Sequence, residues 1–170
     1  TMQNAFEVPS SYAGYISMTI SFMTILSSLA GPGLIKRFHT KWIVIGCTFL
    51  TVMGLFGFSF ATQYWMLILI AIPYGMGAGA IDAAINHYVA NHYSSSVMNF
   101  LHCFYGVGVS VSPYILSLVI AGKSGWRGGY RITFIIQLAI AALLFISLPL
   151  WHKVHGAETV SYTHLRAHET

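Results

Sequence analysis

Charge is what this sequence has least of. Only 7% of its 170 residues are Asp, Glu, Lys or Arg, whereas a water-soluble domain carries about a quarter. With 56% hydrophobic and 15% aromatic residues and a mean hydropathy of +0.69, the deficit excludes a soluble globular domain and implies an integral membrane protein. Lys and Arg outnumber the acids eight to four, but they sit at the ends of apolar runs and form no stripe, so nucleic acid is not an expected partner. Cysteine is also scarce. Cys47 and Cys103 lie inside apolar runs with neither paired spacing nor histidine partners. That pattern excludes a disulfide framework and a zinc site, and leaves packing as the reading for both. No metal or cofactor is expected.

A signal-peptide n-region is missing too. The chain opens in the polar stretch Gln3-Asn4-Ala5-Phe6-Glu7-Val8-Pro9-Ser10-Ser11, which reads as a start internal to a longer protein. At the far end, Val160-Ser161-Tyr162-Thr163-His164-Leu165-Arg166-Ala167-His168-Glu169-Thr170 resembles one reading frame of a transposon-derived sequencing adaptor. Residues 160–170 are therefore expected to be non-native and are set aside from fold reasoning. Native sequence is expected to continue past Thr159.

What the chain has in quantity is apolar runs. Five of them cover about residues 12–35, 42–61, 64–90, 97–121 and 130–151, each near or above the ~20 residues that a helix needs to cross ~30 Å of hydrocarbon. Backbone polar groups in lipid must be satisfied within the segment, so runs of this length predict helices. Trp42, Trp65, Trp126 and Trp151 all fall at run ends, where amphipathic rings sit at headgroup level. Short connections make neighbouring helices antiparallel and give a packed bundle. Lys36, Arg37, Lys41 and Lys153 fall on one side, against Lys123, Arg127 and Arg131 on the other, a difference too small to fix orientation.

One charge interrupts this apolar sequence. Asp82 is the only charged residue between Lys41 and Lys123, and a carboxylate so placed is costly unless it faces a partner or a water-filled cavity. Low-dielectric surroundings favour the neutral form of a carboxyl group, which is what proton coupling requires. The alternative is a carboxylate tied permanently to Asn86, His102 or a residue of sequence outside this chain. Gly75, Gly79, Asp82 and Asn86 are spaced 4, 3 and 4 apart and fall within roughly 60° of one helical face. The glycine pair allows close helix approach, so one stripe joins packing at one end to polar chemistry at the other. A companion stripe on the next helix carries Asn99, His102, Cys103, Gly106, Ser110 and Pro113. His102 has two readings, proton relay or substrate donor on one side and structural donor on the other. Asn86 and Asn99 either bind substrate or join helices, while His87 and His92 lie near a helix end. Counted from Tyr64, Asp82 is 18 residues along its helix, about 27 Å, close to the far face of a thin bilayer.

These residues resemble a known family. The order of runs, the basic loop Lys36-Arg37-Phe38-His39-Thr40-Lys41, the stretch from Gly75 to Asp82 with Asn86, then Met98-Asn99-Phe100-Leu101-His102-Cys103-Phe104-Tyr105-Gly106-Val107-Gly108 and Ser112-Pro113 look like the amino-terminal half of a major facilitator superfamily transporter. Within it they resemble in particular the branch related to fucose–proton symporters. The likeness covers about residues 5–155 and matches family helices two to six, with helix one and the second six-helix half outside the chain. In the loop after the first run, Leu34, Arg37 and Lys41 fit the family's pattern, while Lys36 stands where an acid is usual and His39 where Gly is usual. The Gly106 to Pro113 stretch is similar to an antiporter motif, with Ser112 where Gly is usual.

The resemblance implies five transmembrane helices of an all-α, six-helix half-bundle in the plasma membrane, with the Lys36 loop cytoplasmic. It implies uptake of a small polar solute such as a sugar, driven by protons through alternating access. Asp82 and His102 become proton-coupling residues, Asn86 and Asn99 substrate-binding residues, and Gly75, Gly79, Gly106, Pro113, Arg37 and Lys41 packing or gating residues. The lipid bilayer, the solute, a proton and the second half of the chain are the implied partners. Other readings are an efflux antiporter of the same superfamily, a membrane-embedded acid–base enzyme using Asp82 and His102, and a small structural membrane protein.

Overall fold

A computed structural model describes residues 6, 8, 9, 11–122 and 125–166, with side chains placed up to residue 149. Five helices follow one another: α1 (Ser11–Arg37), α2 (Thr40–Phe60), α3 (Tyr64–His92), α4 (Ser95–Ala121) and α5 (Gly125–Arg166). All five are long and apolar enough to cross a membrane, α5 through Gly125–Pro149. Pro32, Pro73, Pro113 and Pro149 lie inside helices, as transmembrane segments tolerate when neighbours re-satisfy the freed carbonyls.

The first four helices start and stop within two residues of the apolar runs. The fifth starts at Gly125, five residues ahead of the run's expected start at 130. Its first turn carries Trp126, Arg127, Gly128 and Gly129, which a hydropathy pattern passes over although they are helical. Gly125 has φ +58, a left-handed conformation that glycine adopts without steric cost and that turns the chain out of α4. The helix runs on to Arg166, into the segment expected to be adaptor-derived. Residues 167–170, and the side chains of Trp151 and Lys153, lie outside what is described.

Helix α3 is central. It packs against α1 on one side and α2 on the other, α5 lies on α2, and α4 leans mainly on α5 with slight contact to α3. One cluster of buried side chains joins Ile16, Phe58, Ala61, Leu67 and Ala71, with Tyr64, Tyr74 and Tyr130 around it. A second, nearer the opposite end, joins Ile43, Val44, Ala80 and Ala84. Outward faces are apolar, with Leu29 75% and Leu118 76% exposed. For helices in lipid this is the ordinary surface, because acyl chains are as apolar as leucine.

Glycines on α3 determine how near its neighbours come. A Cβ on Gly75 would lie 2.5 Å from the carbonyl oxygen of Ile20 and 2.9 Å from the Met23 Cβ. One on Gly79 would collide with the backbone carbonyl of Thr24. Gly77 faces the other way, where a Cβ would sit 3.0 Å from both the Cys47 carbonyl oxygen and Thr51 Cγ2. The close approach expected at Gly75 and Gly79 is therefore made to α1, with Gly77 serving α2.

Polar links tie the outer helices. Gln137 Nε2 donates to Thr51 Oγ1 at 3.2 Å, joining α5 to α2. Arg127 Nη2 donates to the Ala61 carbonyl oxygen at 3.0 Å, satisfying a carbonyl just past the end of α2 where the helix supplies no partner, and favouring that negative end of its dipole. Replacing Arg127 by Ala is expected to cost about 1 kcal/mol, the scale of one net hydrogen bond. That corresponds to a fall of roughly 2–4 °C in thermal midpoint, read by the loss of helical circular dichroism in detergent.

Candidate transport site

Helix α3 is 29 residues long, about 43 Å at the standard rise and longer than the ~30 Å of hydrocarbon. Its midpoint is Ala78. Asp82 lies four residues beyond, about 6 Å along the axis, so it belongs to the middle of the helix. A helix longer than the hydrocarbon is thick need not start at its face, so the count from Tyr64 does not by itself place Asp82 at the far face.

Asp82 is held locally. Asn86, one turn on, donates from Nδ2 to the Asp82 carbonyl oxygen and to its carboxylate Oδ1, both at 3.0 Å. The other amide atom, Asn86 Oδ1, is buried without a hydrogen-bond partner among the described residues. A buried acceptor left in that state is costly. Across the groove, α4 brings His102 and Tyr105 to the same cavity of about 270 Å³, whose walls are Ala78, Ile81, Ile85 and Leu101. A carboxylate, an amide, an imidazole and a phenol thus line one small apolar-walled space, able to exchange hydrogen bonds and protons with a solute inside it.

The structure divides the expected stripe of α4. His102 faces Asp82 and Asn86, whereas Asn99 lines a separate open groove with Ser96, Phe100 and Cys103. Asn99 and His102 are three residues apart, about 60° around a helix, and α4 meets α3 only along a narrow line, so that angle separates the two sides. Cys103 is exposed, against the expectation that both cysteines pack inside; Cys47 is half-buried. Gly106 has open space where a Cβ would be, and Pro113 lines a third groove, of about 470 Å³, between α4 and α5. Tyr105 was not among the expected site residues. Its signal was its position three residues past His102, about 60° around α4 on the side away from Asn99.

The basic loop lies at the end of the bundle where α1 stops and α2 starts. The Arg37 guanidinium is 5.8 Å from the centre of the Phe38 ring, and Lys41 Nζ is 5.8 Å from that of Trp42. The end of α3 is at the same side of the molecule. There Asn91 reaches back to His87, and His92 Nδ1 lies 2.7 Å from the Tyr88 carbonyl oxygen.

Five apolar helices, a glycine-lined one central among them, with polar groups opening to a groove, fit a family recognisable from the whole chain. The family model for the Major Facilitator Superfamily matches residues 1–164. The chain belongs to the major facilitator superfamily. No curated protein and no solved structure is a significant match to it. Membership in this superfamily points to movement of a small solute across a lipid bilayer and away from an enzyme, and the five helices make the chain a multi-pass membrane protein. In a superfamily protein, the cavity between α3 and α4 is the natural candidate for contact with the solute.

Proposed function

We propose that this chain is the amino-terminal half, without its first helix, of a proton-coupled transporter of the branch related to fucose–proton symporters. It takes up a small polar solute such as a sugar, acts in the plasma membrane with the Lys36 loop in the cytoplasm, and carries in residues 160–170 an adaptor-derived tail. The observation that carries the reading is the meeting of Asp82, Asn86 and His102 on one cavity. Asp82 is the coupling group. Ionised, it accepts from Asn86 Nδ2. Protonated, its O–H can donate to Asn86 Oδ1 after the amide turns over, which gives that oxygen the partner it lacks. The pair is therefore hydrogen-bonded in each protonation state, and only the protonated one gives Asn86 Oδ1 a partner.

Neutralising Asp82 lowers the cost of moving the site between its two exposures, which links proton binding to alternating access about a central site. His102 donates to the solute or passes the proton on, and Asn86 and Asn99 bind the solute from the two grooves. Gly75 and Gly79 keep α3 close to its neighbour. Arg37, Lys41, Gly106 and Pro113 serve gating at the loop and along α4.

In liposomes holding the full-length protein, an acid exterior should drive accumulation of a labelled sugar that a protonophore collapses. Accumulation indifferent to the protonophore would overturn proton coupling. Solute export under the same gradient would favour the antiporter reading carried by the Gly106 to Pro113 stretch.

A further inference from the structure

The glycine tract that makes α3 narrow leaves it few side chains toward α1 to fix its rotation where Asp82 must be aimed. Gly75, Gly77 and Gly79 carry no Cβ, and Pro73 removes one backbone donor just before them. A helix so built offers its neighbours backbone carbonyls in place of interlocking side chains along this tract. Fixing its direction falls to the neighbour that touches it most closely, and that neighbour is α1.

Three hydroxyls of α1 reach across. Ser27 Oγ donates to the Met76 carbonyl oxygen at 2.6 Å, and Ser28 Oγ donates to the Gly79 carbonyl oxygen at 3.1 Å. Thr24 Oγ1 lies 3.2 Å from the Gly75 carbonyl oxygen and 2.9 Å from that of Ile20 in its own helix, so its single proton is shared. One turn beyond Ser28, Gly31 abuts Ala83: a Cβ there would be 2.6 Å from the Ala83 Cβ. Thr24, Ser27, Ser28 and Gly31 fall within about 100° of one face of α1. They meet successive turns of α3 from residue 75 to residue 83, the last of which bears Asp82.

We propose that Ser28, with Ser27 and Thr24, is a positioning residue for Asp82. Its hydroxyl holds the turn 79–83 against α1, so that the carboxylate is presented to His102 in the α3–α4 groove. The geometry works through carbonyls already engaged within α3, each accepting a second hydrogen bond. Such carbonyl oxygens have two lone pairs, and a hydroxyl on a neighbouring helix is the group that can use the spare one where water is absent. Serine and threonine at these positions are therefore more than small residues that let helices approach. Alanine would pack as closely but would leave the rotation of α3 unspecified. The inference rests on the role proposed above for Asp82.

The test uses the full-length protein on a cysteine-free background, with Cys47→Ala and Cys103→Ser in this segment and Asp82→Cys as the probe. The rate of labelling at position 82 by a water-soluble maleimide in nanodiscs reports which way that side chain points. Adding Thr24→Val, Ser27→Ala and Ser28→Ala together is expected to change the rate at least about fivefold with helical content retained. Keeping the hydroxyls, as Thr24→Ser, Ser27→Thr and Ser28→Thr, is expected to return it to within about twofold. With Asp82 restored, Ser28→Ala is expected to displace the pH profile of uptake, and Ser28→Thr to leave it in place. Where the triple change fails to fold, the labelling rate in Ser28→Ala alone decides. An unchanged rate in a folded variant overturns the proposal. Labelling does not depend on transport, so normal proton-driven accumulation by Asp82→Asn would remove the coupling role while the labelling result still judged the positioning.

Discussion

Replacing Asp82 by Asn in the full-length transporter is expected to abolish accumulation against a gradient while sparing exchange of labelled for unlabelled solute. Asn is nearly isosteric and keeps the hydrogen-bonding reach to Asn86, so the groove keeps its shape. What it cannot do is gain and lose a proton. Uptake driven by a proton gradient should fall by at least about 100-fold, the scale on which loss of an essential proton-transfer group is felt. Counterflow, which returns the carrier loaded in both directions and needs no net proton movement, should stay within a few fold of the parent. Measuring both in one liposome preparation separates coupling from folding and from solute binding. Unimpaired accumulation would show that the proton travels elsewhere, despite the absence of any other acidic residue between residues 8 and 157.

The largest loss of stability is expected from Gly79→Ala. The added methyl would collide with the backbone carbonyl of Thr24, whose C and Cα atoms lie 3.0 Å away. Backbone cannot swing aside as a side chain does, so α1 and α3 must separate. Separation also stretches the Ser28–Gly79 hydrogen bond of 3.1 Å and the Thr24–Gly75 contact of 3.2 Å. Overpacking of a tight site costs about 1–3 kcal/mol, and interhelical hydrogen bonds in membranes average about 0.6 kcal/mol each. Together these come to about 2–4 kcal/mol and lower the thermal midpoint by roughly 4–16 °C, taking 2–4 °C per kcal/mol. Gly46→Ala is the matched control: nothing lies within 4 Å of a Cβ there, and alanine favours a helix over glycine. Its midpoint should hold or rise. Equal losses in the two variants would mean that close approach at Gly79 is not what holds α1 to α3.

Apolar run length alone located the helices, because a bilayer permits little else: a segment of ~20 apolar residues has to satisfy its own backbone and does so as a helix. The early start of α5 escaped because Arg127 and the glycines around it break the apolar pattern without breaking the helix. Asp82 was visible for the same reason that it is expensive, as a lone charge in apolar sequence. Asn86 followed from the helical repeat, since contacts one turn apart are built into the backbone. His102 and Asn99 could not be separated in that way. They sit on adjoining sides of α4, and which side meets α3 depends on how two helices lean together.

The sequence by itself determined that this protein is a bundle of membrane-spanning helices with one carboxylate isolated in its apolar sequence, since hydropathy and helical spacing are local properties of the chain. Only the tertiary structure decided what surrounds that carboxylate. Helix packing is set by shape at particular contacts between residues some fifty positions apart. It directed Gly75 and Gly79 to the hydroxyls of α1, brought Tyr105 in beside His102, sent Asn99 to another groove, and left Asp82 facing a cavity between α3 and α4.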